Sequence, residues 1–222
     1  MRAIHLVLSA CLLTLPGTWA QAPAKPAAVD DAQARRERNL KMAEIIRALE
    51  LADGSRVADI GAGGGDYEIP MSRAVGAAGH IYAEDISPGS INRLHERVKE
   101  SGLGNVEVIE GVPDDPKLPA AALDGVLMVI TYHEVADYKQ MLEHVAAALK
   151  PGGRFVIVDM TPHKTLTRPR VDQTKNHVIA PDLAQSEIQQ AGFEMVSRDD
   201  HFIDNPDEES TRWMMVFRKP AA

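Results

Sequence analysis

The densest chemistry in the chain lies at Val57-Ala58-Asp59-Ile60-Gly61-Ala62-Gly63-Gly64-Gly65-Asp66, where an apolar run ends in glycines. Glycine lets a backbone turn sharply and approach a ligand closely. The dinucleotide fingerprint GxGxxG would need its third glycine at position 66, where the chain has Asp66. A carboxylate at a helix N-terminus competes with a pyrophosphate for that place but accommodates a cationic or zwitterionic ligand. Asp85 stands 20 residues after Gly65, and a carboxylate at that distance can accept both hydroxyls of a ribose.

A second group of reactive side chains gathers near two later apolar runs, in Thr131-Tyr132-His133-Glu134 and in Asp159-Met160-Thr161-Pro162-His163. In an open α/β sheet, ligands sit beyond the carboxyl ends of the strands, where both segments fall. His133 suits a proton acceptor near neutrality, with an ordinary pKa of about 6.5. Tyr132 is a candidate to pack against a cofactor or acceptor, or else a core aromatic. Asp159 can orient an acceptor or His133, or cap backbone amides. His133, Glu134, Asp159, His163 and His177 include no histidine pair at i, i+4, so no metal is expected from the spacing. Residues 160–180 hold Lys164, Arg168, Arg170 and Lys175 against Asp172 alone. That stretch reads as a lid favouring an anionic or polar acceptor, or as a solvated loop. The acidic run from Asp199 to Glu209 reads as a solvated hairpin loop.

These residues need strands and helices in alternation to place them. Apolar spacing predicts a helix over 35–51, a turn at Asp53-Gly54 and a strand over 56–60. Helix 67–75 and strand 80–85 follow. Pro88 opens a helix that runs to Ser101 and stops at Gly102. Further strands are expected over 106–110, 125–130 and 154–159, and helices over 137–149 and 181–191. A last strand pair covers 193–197 and 212–218. Alternating β and α at this spacing requires a parallel sheet covered on both faces. No repeat or boundary interrupts residues 35–222, which read as one domain.

The whole chain has 222 residues, 45% of them apolar and 25% charged, with a formal net charge of −8. Arg2 is the one Lys or Arg, with no acid, in the first twenty residues, so residues 21–222 carry 23 bases against 32 acids. That balance, with aromatics at only 5%, argues against nucleic acid as a partner. The single cysteine, Cys11, leaves the body without thiolate nucleophiles, cysteine zinc sites or internal disulfides. Arg2, the apolar run from Ala3 to Leu15, Pro16-Gly17 and Thr18-Trp19-Ala20 have the order of an export signal cleaved after Ala20. Such a signal leaves no stable membrane insertion and places the protein in the periplasm or cell envelope. Leu8-Ser9-Ala10-Cys11 offers a lipoprotein site as the alternative, and an uncleaved cytosolic extension is another. Residues 21–34 read as a Pro/Ala-rich linker.

Taken together, Asp59-x-Gly61-x-Gly63-x-Gly65, then Asp85, then Leu149-Lys150-Pro151-Gly152-Gly153, then Ala191-Gly192-Phe193 resemble the class I S-adenosylmethionine-dependent methyltransferases. The resemblance covers residues 38–218. The runs GAGGGDYE and RAVGAAGHIYAED resemble exported bacterial predicted methyltransferases. This implies a Rossmann-like three-layer sandwich with a seven-stranded, mostly parallel sheet of order 3-2-1-4-5-7-6 and an antiparallel last strand. It implies S-adenosyl-L-methionine as cofactor, held by Asp59, Gly61, Gly63, Gly65 and Asp85. Where the family often has an acid directly after the glycine ending strand 3, Gly111 is followed by Val112-Pro113-Asp114, and Asp114 is the candidate replacement. His133 and Tyr132 are the candidates for catalysis. Methyl transfer to a small-molecule acceptor is the expected activity. A catalytically idle cofactor- or nucleoside-binding protein and a protein methyltransferase are the alternatives.

Overall fold

Runs of Val, Ile and Leu bounded by glycine and turn residues become the buried strands of one sheet. A computed structural model describes residues 40–162, 167–204 and 210–221. In chain order the elements are α1 (Met42–Ala48), β1 (Arg56–Ile60), α2 (Glu68–Val75), β2 (His80–Asp85), α3 (Pro88–Ser101), β3 (Val106–Glu110) and β4 (Leu123–Val129). A 3-10 turn at Tyr132–Glu134 leads to α4 (Tyr138–Ala148), β5 (Leu149–Pro162), α5 (Arg170–Thr174), α6 (Pro181–Gln190), β6 (Glu194–Asp204) and β7 (Ser210–Arg218). The strand order is β3-β2-β1-β4-β5-β7-β6. β1 to β5 pair in parallel, and β7 runs antiparallel to both β5 and β6.

Successive residues of a strand point to opposite faces, and both faces are covered. Val57, Ile81, Leu127, Val156 and Val158 pack under α1 and α2 with Met42, Ile45, Met71 and Val75. Ala58, Val126, Met128, Phe155 and Ile157 pack on the other side under α4 and α6 with Leu142, Val145 and Ile188. α3 joins the first layer, where Leu94 meets Ala83. The chain leaves β1 toward β2 and β3 on one side and β4 lies on the other. Such a reversal opens a crevice at the carboxyl ends of the strands.

Helix Arg170–Thr174 was not expected, several limits shift by one or two residues, and three elements differ more from the pattern-based expectation. α1 ends at Ala48 rather than 51 because Leu49 caps it and Glu50 takes a left-handed φ of 52°. β5 is far longer than 154–159, since β7 pairs with it as far as Pro162. β6 extends to Asp204, so the first half of the acidic run is strand, not loop. Phe202 is buried and sets that register, with Ile203 opposite Arg212 and Asp204 opposite Thr211. Exposed acids on this edge strand also discourage pairing with another sheet edge.

The signal and linker assignments at 1–34, with Cys11, lie outside the described residues, as do His163, Lys164 and 205–209. Among the described residues, no helix is long and apolar enough to cross a membrane.

Candidate cofactor and acceptor site

The glycine loop leaves β1 and is tied to the end of β2 by three hydrogen bonds, with a fourth from Ser87 fixing Asp85. Gly61 N–H donates to Glu84 Oε2 at 3.3 Å, and Ala62 N–H to the Glu84 carbonyl at 2.8 Å. Gly63 N–H donates to Asp85 Oδ2 at 2.9 Å, and Ser87 N–H to Asp85 Oδ1 at 2.8 Å. The glycines do different things. A Cβ at Gly61 would lie 2.4 Å from Thr131 Oγ1, so this glycine lets the loop close on the end of β4. A Cβ at Gly65 would meet Arg97 Cδ at 2.9 Å and Leu94 at 3.1 Å, so this one seats α3. Gly63, at φ 60°, has no neighbour nearer than the Gly61 carbonyl at 4.0 Å and fronts open space.

Beside the loop lies a cavity of about 180 Å³, walled by Gly61, Asp85, Ile86, Val112, Thr131 and Glu134 among others. A wider hollow of about 560 Å³, lined by Asp182, Gln185 and Arg198, lies over α6 and β6 at the sheet edge and gathers no comparable set of groups. Asp85 lines the cavity as its spacing predicted. Asp114 is half-buried in the turn after β3 and does not line it; Val112 and Pro113 supply that wall, while Asp115 accepts from Lys117 N–H at 2.8 Å. The place expected for Asp114 is therefore apolar.

Buried carboxyls surround the loop: Asp59 of the motif, together with Glu84 and Glu68, which the motif reading missed. Glu84 is 2% exposed and its Oε1 has no hydrogen-bond partner. Burial pushes its pKa up to about 8, against the pull of Gly61 N–H. Asp59 is buried at the end of β1 in the neighbourhood of the buried Glu68 carboxyl. Burial, then the charge of Glu68, raises Asp59 well above the carboxylate range, and burial lifts Glu68 to about 7. The sequence signal for Glu84 was there to find: an acid inside an apolar strand is exceptional unless something satisfies it.

On the acceptor side, Asp159 is fully buried and receives His133 N–H at 3.0 Å, Met160 N–H at 2.7 Å and His133 Nδ1 at 2.7 Å. A carboxylate partner places the imidazole proton on Nδ1 and turns Nε2 the other way, where Glu134 Oε1 lies 3.7 Å off. Burial pulls the His133 pKa down, but its bond to Asp159 and the Asp159 charge raise it overall. Of the alternatives for Asp159, orientation of His133 and amide capping both hold. Tyr132 is a correction. Its side chain is fully buried in the core and its hydroxyl donates to Glu187 Oε2 at 2.8 Å. Burial, and then Glu187, raise its pKa, so it packs rather than faces a ligand. Arg170 is likewise drawn inward, pairing with Glu187 at 3.0 Å over the Tyr132 and Tyr138 rings. It locks α5 to α6 and is not a free lid cation. The fold also brings His177 Nδ1 to 3.3 Å from Glu134 Oε1.

Residues 57–153 match a family described as "Methyltransferase domain". Over that span the chain is similar to methyltransferase domains. It is 32% identical over 116 residues to a demethylmenaquinone methyltransferase of Listeria welshimeri, covering 52% of this chain and 49% of the relative. A ubiquinone/menaquinone biosynthesis C-methyltransferase of Vibrio cholerae is 28% identical over 135 residues, 60% of this chain and 51% of the relative. The chain thus matches about half the length of these curated relatives. A SAM-dependent methyltransferase from Aquifex aeolicus shares the fold at a TM-score of 0.69 and 22% identity, over 86% of this chain and 99% of that one. So does a phosphoethanolamine N-methyltransferase of Haemonchus contortus in complex with S-adenosyl-L-methionine, at 0.68 and 15%, over 82% and 52%. The matched span holds the glycine loop and Asp85.

Proposed function

We propose that the protein is an S-adenosyl-L-methionine-dependent methyltransferase acting on a small-molecule acceptor. The observation that carries this reading is Asp85, fixed by Gly63 and Ser87 amides beside an open-fronted glycine loop at the switch point. From there it can take ribose hydroxyls. Ile86 and Val112 are exposed apolar groups on the cavity wall, suited to the faces of a base. The carboxylates Asp85 and Glu134 line the cavity and suit a cationic sulfonium far better than a pyrophosphate. The unpartnered Glu84 Oε1 offers a further acceptor there. The cofactor, when bound, supplies the electrophilic methyl group, so the protein's task is alignment of the acceptor.

We place the acceptor on the side of His133 and Glu134, with Asp159 holding the His133 ring in one orientation. Relatives named for menaquinone and ubiquinone biosynthesis support a small molecule over a protein side chain as acceptor, and the acidic body disfavours nucleic acid. Calorimetric titration with S-adenosylhomocysteine tests the first half: saturable one-to-one binding is expected, and none would overturn the reading. Release of S-adenosylhomocysteine on incubation with cofactor and quinol or phenol acceptors tests the second. Tight binding with no turnover on any small-molecule extract would leave an idle binder.

A further inference from the structure

The side chains of His133, Glu134 and His177 converge beyond the ends of β4 and β5, and nothing in the methyl-transfer scheme requires that grouping. Their donor atoms all lie within 4.8 Å of one another. Glu134 Oε1 stands between the two rings, 3.7 Å from His133 Nε2 and 3.3 Å from His177 Nδ1. Three donors around one divalent ion at bond lengths of about 2.0–2.2 Å sit roughly this far apart, so each need move little. His133 brings a second feature of such sites. Its Nδ1 is bonded at 2.7 Å to Asp159, a carboxyl with no exposure. A buried carboxylate on the far nitrogen fixes the tautomer, aims Nε2 outward and raises its basicity toward a cation.

We propose that His133 Nε2, Glu134 and His177 Nδ1 form a binding site for one divalent transition-metal cation of the Zn2+ class, with Asp159 as the positioning residue behind His133. Two imidazoles and one carboxylate suit Zn2+ and its first-row neighbours rather than Mg2+ or Ca2+. Three protein ligands leave a coordination position open. Glu134 also walls the cavity beside Gly61 and Asp85, so the open position is near the place assigned to the acceptor, where an acceptor oxygen could take it. That last placement rests on the methyltransferase reading; cation binding itself does not.

The test uses the full chain dialysed against a chelator, titrated with Zn2+ by calorimetry and with Co2+ by visible absorption. One equivalent per chain is expected, with the d–d bands of a low-coordinate Co2+ site. His177→Ala and Glu134→Gln alter exposed side chains, and each should weaken Zn2+ binding by about tenfold or more without moving the metal-free unfolding midpoint. His201→Ala, at an exposed histidine paired with Asp204, should bind as the native chain does. Absence of saturable stoichiometric binding would overturn the proposal, and so would unchanged affinity in both His177→Ala and Glu134→Gln. S-adenosylhomocysteine titration of the same samples keeps the two readings apart: a chain that binds the nucleoside but no metal is a methyltransferase domain without this site.

Discussion

Three glycines of one loop face three different neighbours, and substitutions should separate them. Gly61→Ala drives a methyl into Thr131 and strains a φ of 73°. Overpacking of this kind costs about 1–3 kcal/mol, so urea denaturation should show a clear loss of stability. Gly63 has no such neighbour, and its replacement by Val should act on ligand approach and on a φ of 60°. Asp85→Ala removes a charged acceptor worth about 1.5–3 kcal/mol, which predicts at least roughly tenfold weaker S-adenosylhomocysteine binding by calorimetry. Unchanged affinity in a folded Asp85→Ala protein would remove Asp85 from the site. Gly61, Gly63 and Asp85 were all legible as a motif. That Gly65 serves α3, and that Asp59 lies near the buried Glu68, was not, because both depend on contacts across elements.

Between elements, the lock formed by Tyr132, Arg170 and Glu187 joins the 3-10 turn after β4 to α5 and α6. Tyr132→Phe leaves Glu187, a buried carboxyl, one hydrogen bond short. The expected cost is about 1–3 kcal/mol, read as a lower denaturation midpoint with nucleoside affinity retained. A fall in affinity with no loss of stability would instead return Tyr132 to the ligand site. Helix α3 and strands β1, β2 and β3 match the pattern-based limits residue for residue, since Pro88, Gly102 and the flanking turns are local signals. The extension of β6 was hidden for a physical reason. A charged edge strand has one buried anchor, Phe202, and its period-2 signal is swamped by Asp199, Asp200 and Asp204.

At the scale of the molecule, buried acids govern the response to pH. Glu68 and Glu84 rise on folding from 4.5 to about 7 and about 8. Asp59, Asp66 and Arg97 face the first, and Asp85, Asp115 and Lys117 the second. Between the unfolded and folded values the native state holds more protons, so stability is lost as pH climbs through that window. Urea midpoints should therefore fall from about pH 5 to about pH 8, and Glu84→Gln should flatten that slope. A midpoint that rises with pH would contradict the burial of these groups. Export belongs to this scale too: we propose cleavage after Ala20, for which mass spectrometry of the native protein should show Gln21 as the first residue. A chain starting at Met1 would discard that proposal, and a lipidated Cys11 would replace it. The sequence by itself determined the alternating elements, the glycine loop and Asp85, because these are written in residues close along the chain. Only the tertiary structure decided that Tyr132 points into the core, that Val112 and Pro113 rather than Asp114 wall the cavity, and that His177 meets His133 and Glu134. Those meetings join residues on separate elements, and a residue pattern carries no record of which distant partner a side chain will face once the sheet has closed its layers.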